Sequence, residues 1–560
     1  AWAARFPAHV RHMVSAPEHV ADNNPFQRHL RIQASMAAVN PRVFVMPQAA
    51  ATPDVPAEAF LPGRTVIVPH SRTMFDFEPK PALDDSQVRL LLTPDEMLAQ
   101  QAPDAARPPA KDPEPVTGEA GLVVCPIGTG SSVPSLYRNV SANVVSVSAY
   151  GGMVLDCGES TVSLLKRFLG FPQRNVYNTR IGLSYTEFVA SLKLLYISHM
   201  HADHHLGAVL LLREWAQLTR TLEPRPRLTI VGPARFWIWL EDYAGVEDLE
   251  LDRIDFISCR DIQFSDAAAT GKALPAGKHE LNRTRVAKLK ADLGLTDIAT
   301  CNVIHCPWAY GVSFTHSSGW KLVYSGDTRP CANLITLGRA GGTPPTILLH
   351  EATLPDDLIQ DAIAKRHSTS SEAVAMAVGM GAENLLMTHF SQRCLEHPRW
   401  KPAVVQSVKL SRYGYIAGGR NDGSGSGTPG SGLASPESAG TGANDAPLGD
   451  PGSTAVDTKA VKAALMRALG EPLSDESDGD DVTAKQRPFG GLNIAAAFDM
   501  TAFSPADIQH HRANVQQLRK ALYKELTLFM AEAAAPSDAD EAEDTQPAPK
   551  AKRPKSKGGK

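Results

Sequence analysis

The chain has 560 residues, a length that predicts about three domain-sized units or one large domain with additions. A net charge of -4 argues at first sight against a nucleic-acid binder, and seven scattered cysteines argue against a secreted disulfide scaffold. No apolar run of about 18 residues occurs, so no membrane span is expected.

The chain opens on Ala1 rather than Met and reads as a fragment or a processed product. Residues 1–48 read as the end of something folded, with a helix or strand over His29–Met36 and a short strand over Val43–Met46. Residues 49–117 are rich in Pro and Ala and read as a linker with one amphipathic helix at Ser86–Leu98. From 118 to 416 short apolar strands alternate with helical segments. The strands are read at Leu122–Ile127, Asn143–Ser148, Met153–Asp156 and Leu192–Ser198, with a helix over 160–170. Two strand-rich halves separated by helices predict a layered α/β sandwich. Residues 417–488 are a low-complexity insertion containing a Gly/Ser tract and a short helix at Thr458–Gly470. Folded texture returns at 489–533, where Ser504 is placed to cap a helix running from Pro505 to Ala531. Residues 534–560 form a charged tail ending in the basic run Lys550–Lys557, which reads either as a nuclear localisation signal or as a solvated tail.

The strongest chemical signal follows the strand at Leu192–Ser198. His199, His201, Asp203, His204 and His205 fall within seven residues and end at Gly207. Imidazole and carboxylate are good ligands for zinc, and a loop after a strand can aim several at one point. The competing reading is a His-rich surface loop. His305, Asp327 and His389 each end a β-rich run and are candidates for the remaining ligands. Taken singly, each also reads as a turn or capping residue.

The order His-x-His-x-Asp-His, then His, Asp and His, resembles the metallo-β-lactamase fold. The further motifs His350-Glu351-Ala352-Thr353, His367-Ser368-Thr369, His389-Phe-Ser-Gln-Arg393, Tyr324-Ser-Gly-Asp-Thr328, Asp156-Cys-Gly-Glu159 and Pro134-x-x-x-Arg138-Asn139 resemble tRNase Z. That family cuts the 3′ trailer from precursor tRNA. Only 22 positions separate His305 from Asp327, which leaves no room for the short form's protruding arm and resembles the catalytic half of the long form. The resemblance implies an α/β fold, an αβ/βα four-layer sandwich, with disordered linker, insertion and tail. It also implies that residues 1–48 are the remnant of an amino-terminal lactamase-like domain missing from this chain.

The resemblance further implies two Zn²⁺ ions, with Mn²⁺ or a similar divalent metal as the alternative. His199, His201 and His305 would hold one ion, His204, His389 and Asp203 the other, and Asp327 would bridge them. A water between the ions would lose its proton near neutral pH and attack phosphorus. Asp203 would orient that water or take its proton. His367, paired with Glu351, would protonate the leaving oxygen, giving a tRNA 3′-hydroxyl and a trailer 5′-phosphate. Arg138, Asn139, Ser391 and Arg393 would contact substrate. The family's loop carries Lys where this chain has Leu136, and Ser160 and Cys394 also depart from its usual residues.

Other readings stay open. The basic residues Lys272, Lys278, Arg283, Arg285, Lys288 and Lys290 could face RNA, or form a solvated helix face. Cys301 and Cys306 flank His305 and read as core packing in preference to a zinc pair. The chain could also be a lactamase-fold hydrolase of small phosphodiesters, or a binding-only fragment inactive without the missing half. An intracellular protein is expected, in the nucleus or else the mitochondrion. The oligomeric state is open. Residues 84–119 carry net -5 (8 acids, 3 bases), and residues 416–490 also carry net -5 (11 acids, 6 bases), so the remainder of the chain is +6. The acidic average comes from the linker and insertion, and the part read as folded is compatible with RNA.

Overall fold

A computed structural model describes residues 121–135, 137–170, 181–264, 279–393, 492–499 and 501–511, with short stretches elsewhere, chiefly between 32 and 44. The linker helix at 86–98, the insertion helix at 458–470, Lys272, Lys278, Cys394 and the basic tail lie outside the described residues.

Two short two-stranded pairings, 12–13 with 66–67 and 74–76 with 82–84, come first in the chain, and two six-stranded sheets dominate the fold. The first comprises β1 (Leu122–Gly128), β2 (Ala142–Val147), β3 (Gly151–Cys157), β4 (Leu192–Tyr196), β5 (Leu228–Gly232) and β6 (Ile254–Ser258). The second comprises β7 (Leu295–Asn302), β8 (Tyr310–His316), β9 (Lys321–Tyr324), β10 (Ile347–Glu351), β11 (Asn384–Thr388) and β12 (Asn493–Ala496). Both are built on one plan. Three strands run antiparallel in sequence, and the third then begins a parallel run of four.

Strand alternation divides the side chains between layers. From β1, Leu122 and Val124 enter the core between the sheets, where they join Leu155, Tyr196, Phe314 and Tyr324. Val123 and Cys125 point the other way. They pack under α1 (Thr161–Leu169), α2 (Tyr185–Ala190), α4 (Ala208–Thr219) and α5 (Ala234–Ala244), through Leu165, Phe188, Trp215 and Phe236. A four-residue turn of helix, α3 (Ala202–His205), precedes α4. On the far side, Val323, Leu348 and Met387 pack against Leu334 of α7 (Ala332–Arg339) and Val374 of α9 (Ser370–Met380). Between these helices lies α8 (Ile359–Lys365), and α6 (His279–Leu293) joins the sheets in sequence. The layers are therefore helix, sheet, sheet, helix, as expected for the four-layer sandwich. Because both faces of each sheet are covered, the central strands read as nearly continuous apolar runs.

Most of the predicted elements fall within a few residues of those observed. The helix read over 160–170 is α1, and its N-cap position is Ser160, whose side chain makes no cap hydrogen bond. Ser504 does cap α10 (Pro505–His511): its hydroxyl accepts from the Asp507 amide at 3.4 Å, and its own amide donates to the Asp507 carboxylate at 2.8 Å. The segment His29–Met36 is helical where described. Ile32, Met36, Val43 and Phe44 join the core between the sheets, and the Ala502 amide donates to the Val43 carbonyl at 3.1 Å. No helix among the described residues is long and apolar enough to cross a membrane.

Candidate metal centre

The strand directions decide where the polar residues meet. Since β1 and β3–β6 run one way, as do β7 and β9–β12, the loops at their carboxyl ends open on one edge, where α/β sheets commonly bind ligands. His199 follows β4, His305 follows β7, Asp327 follows β9, Glu351 ends β10 and His389 follows β11.

The ring nitrogens form two groups. His201 Nδ1 stands 3.0 Å from His199 Nε2 and 3.0 Å from His305 Nε2. In the second group His204 Nε2 and His389 Nε2 are 3.1 Å apart, with Asp203 Oδ2 at 3.7 and 3.5 Å from them. Asp327 lies between. Its Oδ2 is 3.7 Å from His199 and His305 and 3.3 Å from His204, and its Oδ1 is 3.3 Å from His389. Ligands at about 2.1 Å in a tetrahedron are separated by about 3.4 Å, so both groups have the spacing of a coordination shell. All seven residues singled out as ligands are thus brought together.

The residues fit a divalent cation on two further observations. Asp327 Oδ1 is buried without a hydrogen-bond partner. Asp156, Asp203, Asp327 and Glu351 form ion pairs with histidines alone among the described residues. Burial opposes ionisation of Asp203 and Asp327, but neighbouring His204 and His389 outweigh it and hold both carboxyls well below the usual range. Burial likewise opposes a charge on His204, yet Asp327, Asp203 and Asp156 together raise its pKa well above the ordinary value. Burial lowers His199, His201 and His305, keeping those rings in the neutral form that binds metal.

Outer partners fix the rings. His204 Nδ1 meets Asp156 Oδ2 at 2.7 Å, His305 Nδ1 meets the Arg366 carbonyl at 3.0 Å, and His389 Nδ1 meets Thr353 Oγ1 at 2.9 Å. Each contact leaves Nε2 directed at the centre. Asp156 also accepts from the Ser198 amide, the Ser198 hydroxyl and the Tyr324 hydroxyl, each at 2.7 Å. Asp156 and His389 hold φ values of 59° and 60°, a left-handed conformation costly outside glycine and typical of over-determined functional positions. The histidine loop is pinned from below by two glycines. A Cβ on Gly207 would meet the Gly158 carbonyl oxygen at 2.1 Å, and one on Gly158 would meet the Asp203 carbonyl oxygen at 2.3 Å.

His367 stands over both groups, its ring 4.7 Å from that of His305 and 5.5 Å from that of His389. Its Nδ1 is 3.0 Å from Glu351 Oε1. Burial disfavours a charge on His367, but Glu351 overrides it and raises the pKa to about 9. Glu351 is held ionised in turn. Beyond His367, it accepts from the amides of Thr328 at 2.5 Å and Ser368 at 3.0 Å, and from the Thr353 hydroxyl. Thr369 and Glu372 form a capping box at the start of α9, so the His-Ser-Thr segment is a helix start as well as part of the site.

The four residues expected to contact substrate lie less directly in the centre. Arg138 is 4% exposed and turned inward, which differs from the expectation of a substrate contact. Its guanidinium donates to Thr129 Oγ1 at 2.6 Å and to the Ala497 carbonyl at 3.1 Å, sandwiched by Phe390 and Phe498. Asn139 is buried, its amide donating to Asp499 and its side chain to the Glu159 carbonyl. Ser391 is half-buried and Arg393 exposed, both just beyond His389. Cys301 lies in the core as expected, but Cys306 is half-buried beside His199, His201 and His305, closer to the centre than core packing implies. On α6, part-buried Arg285 donates to the Phe256 carbonyl at 2.8 Å, and exposed Lys288 pairs with Asp292.

Comparison with known proteins agrees with this architecture. Residues 155–390 match the family described as "Beta-lactamase superfamily domain". The chain is 33% identical over 412 residues to "Ribonuclease Z 1" of Schizosaccharomyces pombe, an alignment spanning 70% of this chain and 47% of that protein. It is 36% identical over 293 residues to "Zinc phosphodiesterase ELAC protein 2" of Homo sapiens, spanning 51% of this chain and 32% of that protein. The chain therefore spans about a third to a half of the length of these curated relatives. A crystal structure of a long form RNase Z from yeast shares the fold, with a TM-score of 0.58 at 20% identity, covering 91% of this chain and 64% of that one. Residues 155–390 thus match the beta-lactamase superfamily domain, in a chain that resembles the ribonuclease Z proteins.

Proposed function

We propose that the chain is a metal-dependent endoribonuclease that removes the 3′ trailer from precursor tRNA. The observation that carries this reading is the placement of His367, paired with Glu351 at 3.0 Å, over two ligand groups that share Asp327. Similarity to proteins named ribonuclease Z supplies the substrate class.

His199, His201 and His305 would hold one Zn²⁺, His204, His389 and Asp203 a second, and Asp327 both; Mn²⁺ is the alternative. When bound, the ions would supply a water activated near neutral pH and positive charge for the phosphorane-like transition state. Asp203 Oδ2, fixed by the Ser132 amide at 2.6 Å, would orient the attacking water or take its proton. The water oxygen joins phosphorus as the bond to the tRNA 3′-oxygen breaks. His367 donates its proton to that oxygen, while Glu351 keeps the ring charged and aligned. The products are a tRNA 3′-hydroxyl and a trailer 5′-phosphate. Ser391 and Arg393, which follow His389 in sequence, would meet the scissile phosphate, and the Arg138–Asn139 loop acts by positioning, because both side chains are committed inside the fold.

Incubation with a 3′-extended precursor tRNA, with both product ends mapped, tests the reading. One cut leaving those two ends is expected. Hydrolysis of a small chromogenic phosphodiester without any cut in the RNA would assign the chain to the small-substrate hydrolases.

A further inference from the structure

We infer that Trp308, with Arg235 stacked upon it, is a platform for an unpaired base of the RNA beside the metal centre; this deepens the reading above and rests on it. Trp308 lies three residues beyond His305, yet its side chain is turned to solvent and is 49% exposed. Its φ of 61° is in the left-handed region, where a bulky aromatic is a steric outlier. Such a conformation persists only where the surroundings impose it. Here the loop is closed at both ends. The Val303 amide donates to the Ala309 carbonyl at 3.1 Å, and the Ile304 amide to Thr328 Oγ1 at 3.1 Å. The ring is therefore held outward by a fixed loop, at a backbone cost borne while half of the residue stays exposed.

The Arg235 guanidinium lies 4.0 Å from the Trp308 ring centroid. Arg235 is exposed and makes no ion pair among the described residues. It occupies the first turn of α5, next to Phe236, whose ring is 6.1 Å from that of His205. His205 Nδ1 in turn meets the His201 carbonyl at 2.8 Å. The Trp–Arg pair thus stands on the rim of the centre. Trp308 makes no ring-to-ring contact among the described residues, and exposed Leu206 and Ile304 adjoin His205 and His305 in sequence. A rigid indole beside a cation presents what a nucleotide needs, a π-face for its base and a partner for its phosphate. A protein partner would more commonly be met by a continuous apolar patch, so the nucleotide is the occupant favoured here.

The test is binding of a short labelled single-stranded oligoribonucleotide, and of an abasic ribose-phosphate ladder of equal length, by the zinc-loaded chain. For W308A the affinity for the oligonucleotide should fall about 5- to 100-fold, the range for loss of one stacked base. W308F should keep most of the affinity, and binding of the abasic ladder should not change. W308G removes the ring and relieves the left-handed strain, so it should lose affinity while melting no lower than the wild type. Equal affinity of W308A and wild type, an equal loss on both ligands, or no binding by the wild type would each overturn the inference. A marked drop in melting temperature for W308G would overturn it too, by making Trp308 structural. A chain that binds in a Trp308-dependent way yet leaves precursor tRNA uncut would instead defeat the functional reading alone.

Discussion

Asp156 Oδ2 and His204 Nδ1 meet at 2.7 Å, both fully buried, beneath the second group of ligands. The carboxylate fixes the imidazole tautomer and directs Nε2 at the centre. Asp156→Asn keeps the shape but loses the charge and one acceptor. Metal affinity, read by competition with a chromogenic chelator, should fall about 10- to 100-fold, as expected for loss of an outer-sphere carboxylate.

Removing a ligand should cost metal as well as activity. For His389→Ala and Asp327→Asn, the zinc content of the purified chain should drop, and cleavage of precursor tRNA should be abolished while the far-ultraviolet dichroism persists. Zinc should also raise the melting temperature of the wild type. Free metal at 100 times Kd contributes about 2.7 kcal/mol, and the two variants should show a smaller gain. Full activity in either metal-replete variant would contradict the ligand assignment.

The Glu351–His367 pair sets a pH window. His367 has a folded pKa raised to about 9, so its stabilising pairing is complete below the ordinary value of 6.5 and is lost as pH rises through about 9. Glu351 has a lowered pKa, so its share is present above the ordinary value of 4.5 and is lost as pH falls through the lowered one. A proton donor at His367 predicts a rate that declines above about pH 9. Glu351→Gln should move that alkaline limb downward by a unit or more, and His367→Ala should remove it along with most of the rate. A pH–rate profile of the three proteins checks this.

Arg138 should behave as a structural residue. Arg138→Ala would leave buried Asp499 facing less positive charge and open a void between Phe390 and Phe498. Breaking such a buried contact costs about 3–5 kcal/mol. Chemical denaturation should show a loss of that order, whereas Arg393→Ala, at an exposed position, should leave stability nearly unchanged and affect only RNA cleavage.

How much was legible in the sequence follows from how local each signal is. The strand at Leu192–Tyr196 and the histidines after it are contiguous, and the unbroken apolar run of Leu122–Ile127 reports a strand buried on both faces. His305, Asp327 and His389 were reachable because each ends a strand whose direction brings it to the same edge. Asp156 and Thr353 lie inside motifs already singled out, but their partners His204 and His389 are 48 and 36 positions away, and no spacing rule links them. Arg138 misled for the same reason. Its partners include Ala497 and Phe498, which reach it only because β12 closes the second sheet. The outward turn of Trp308 depends on a backbone angle that the residue type itself disfavours, so it leaves no trace in composition or periodicity.

The most direct measurement is processing of an end-labelled precursor tRNA by the zinc-loaded chain, before and after chelation and after metal is restored. The account predicts a single cut at the base of the trailer that chelation abolishes and zinc or manganese restores. Cleavage that survives complete metal removal, or an intact precursor in the presence of fully loaded protein, would contradict it.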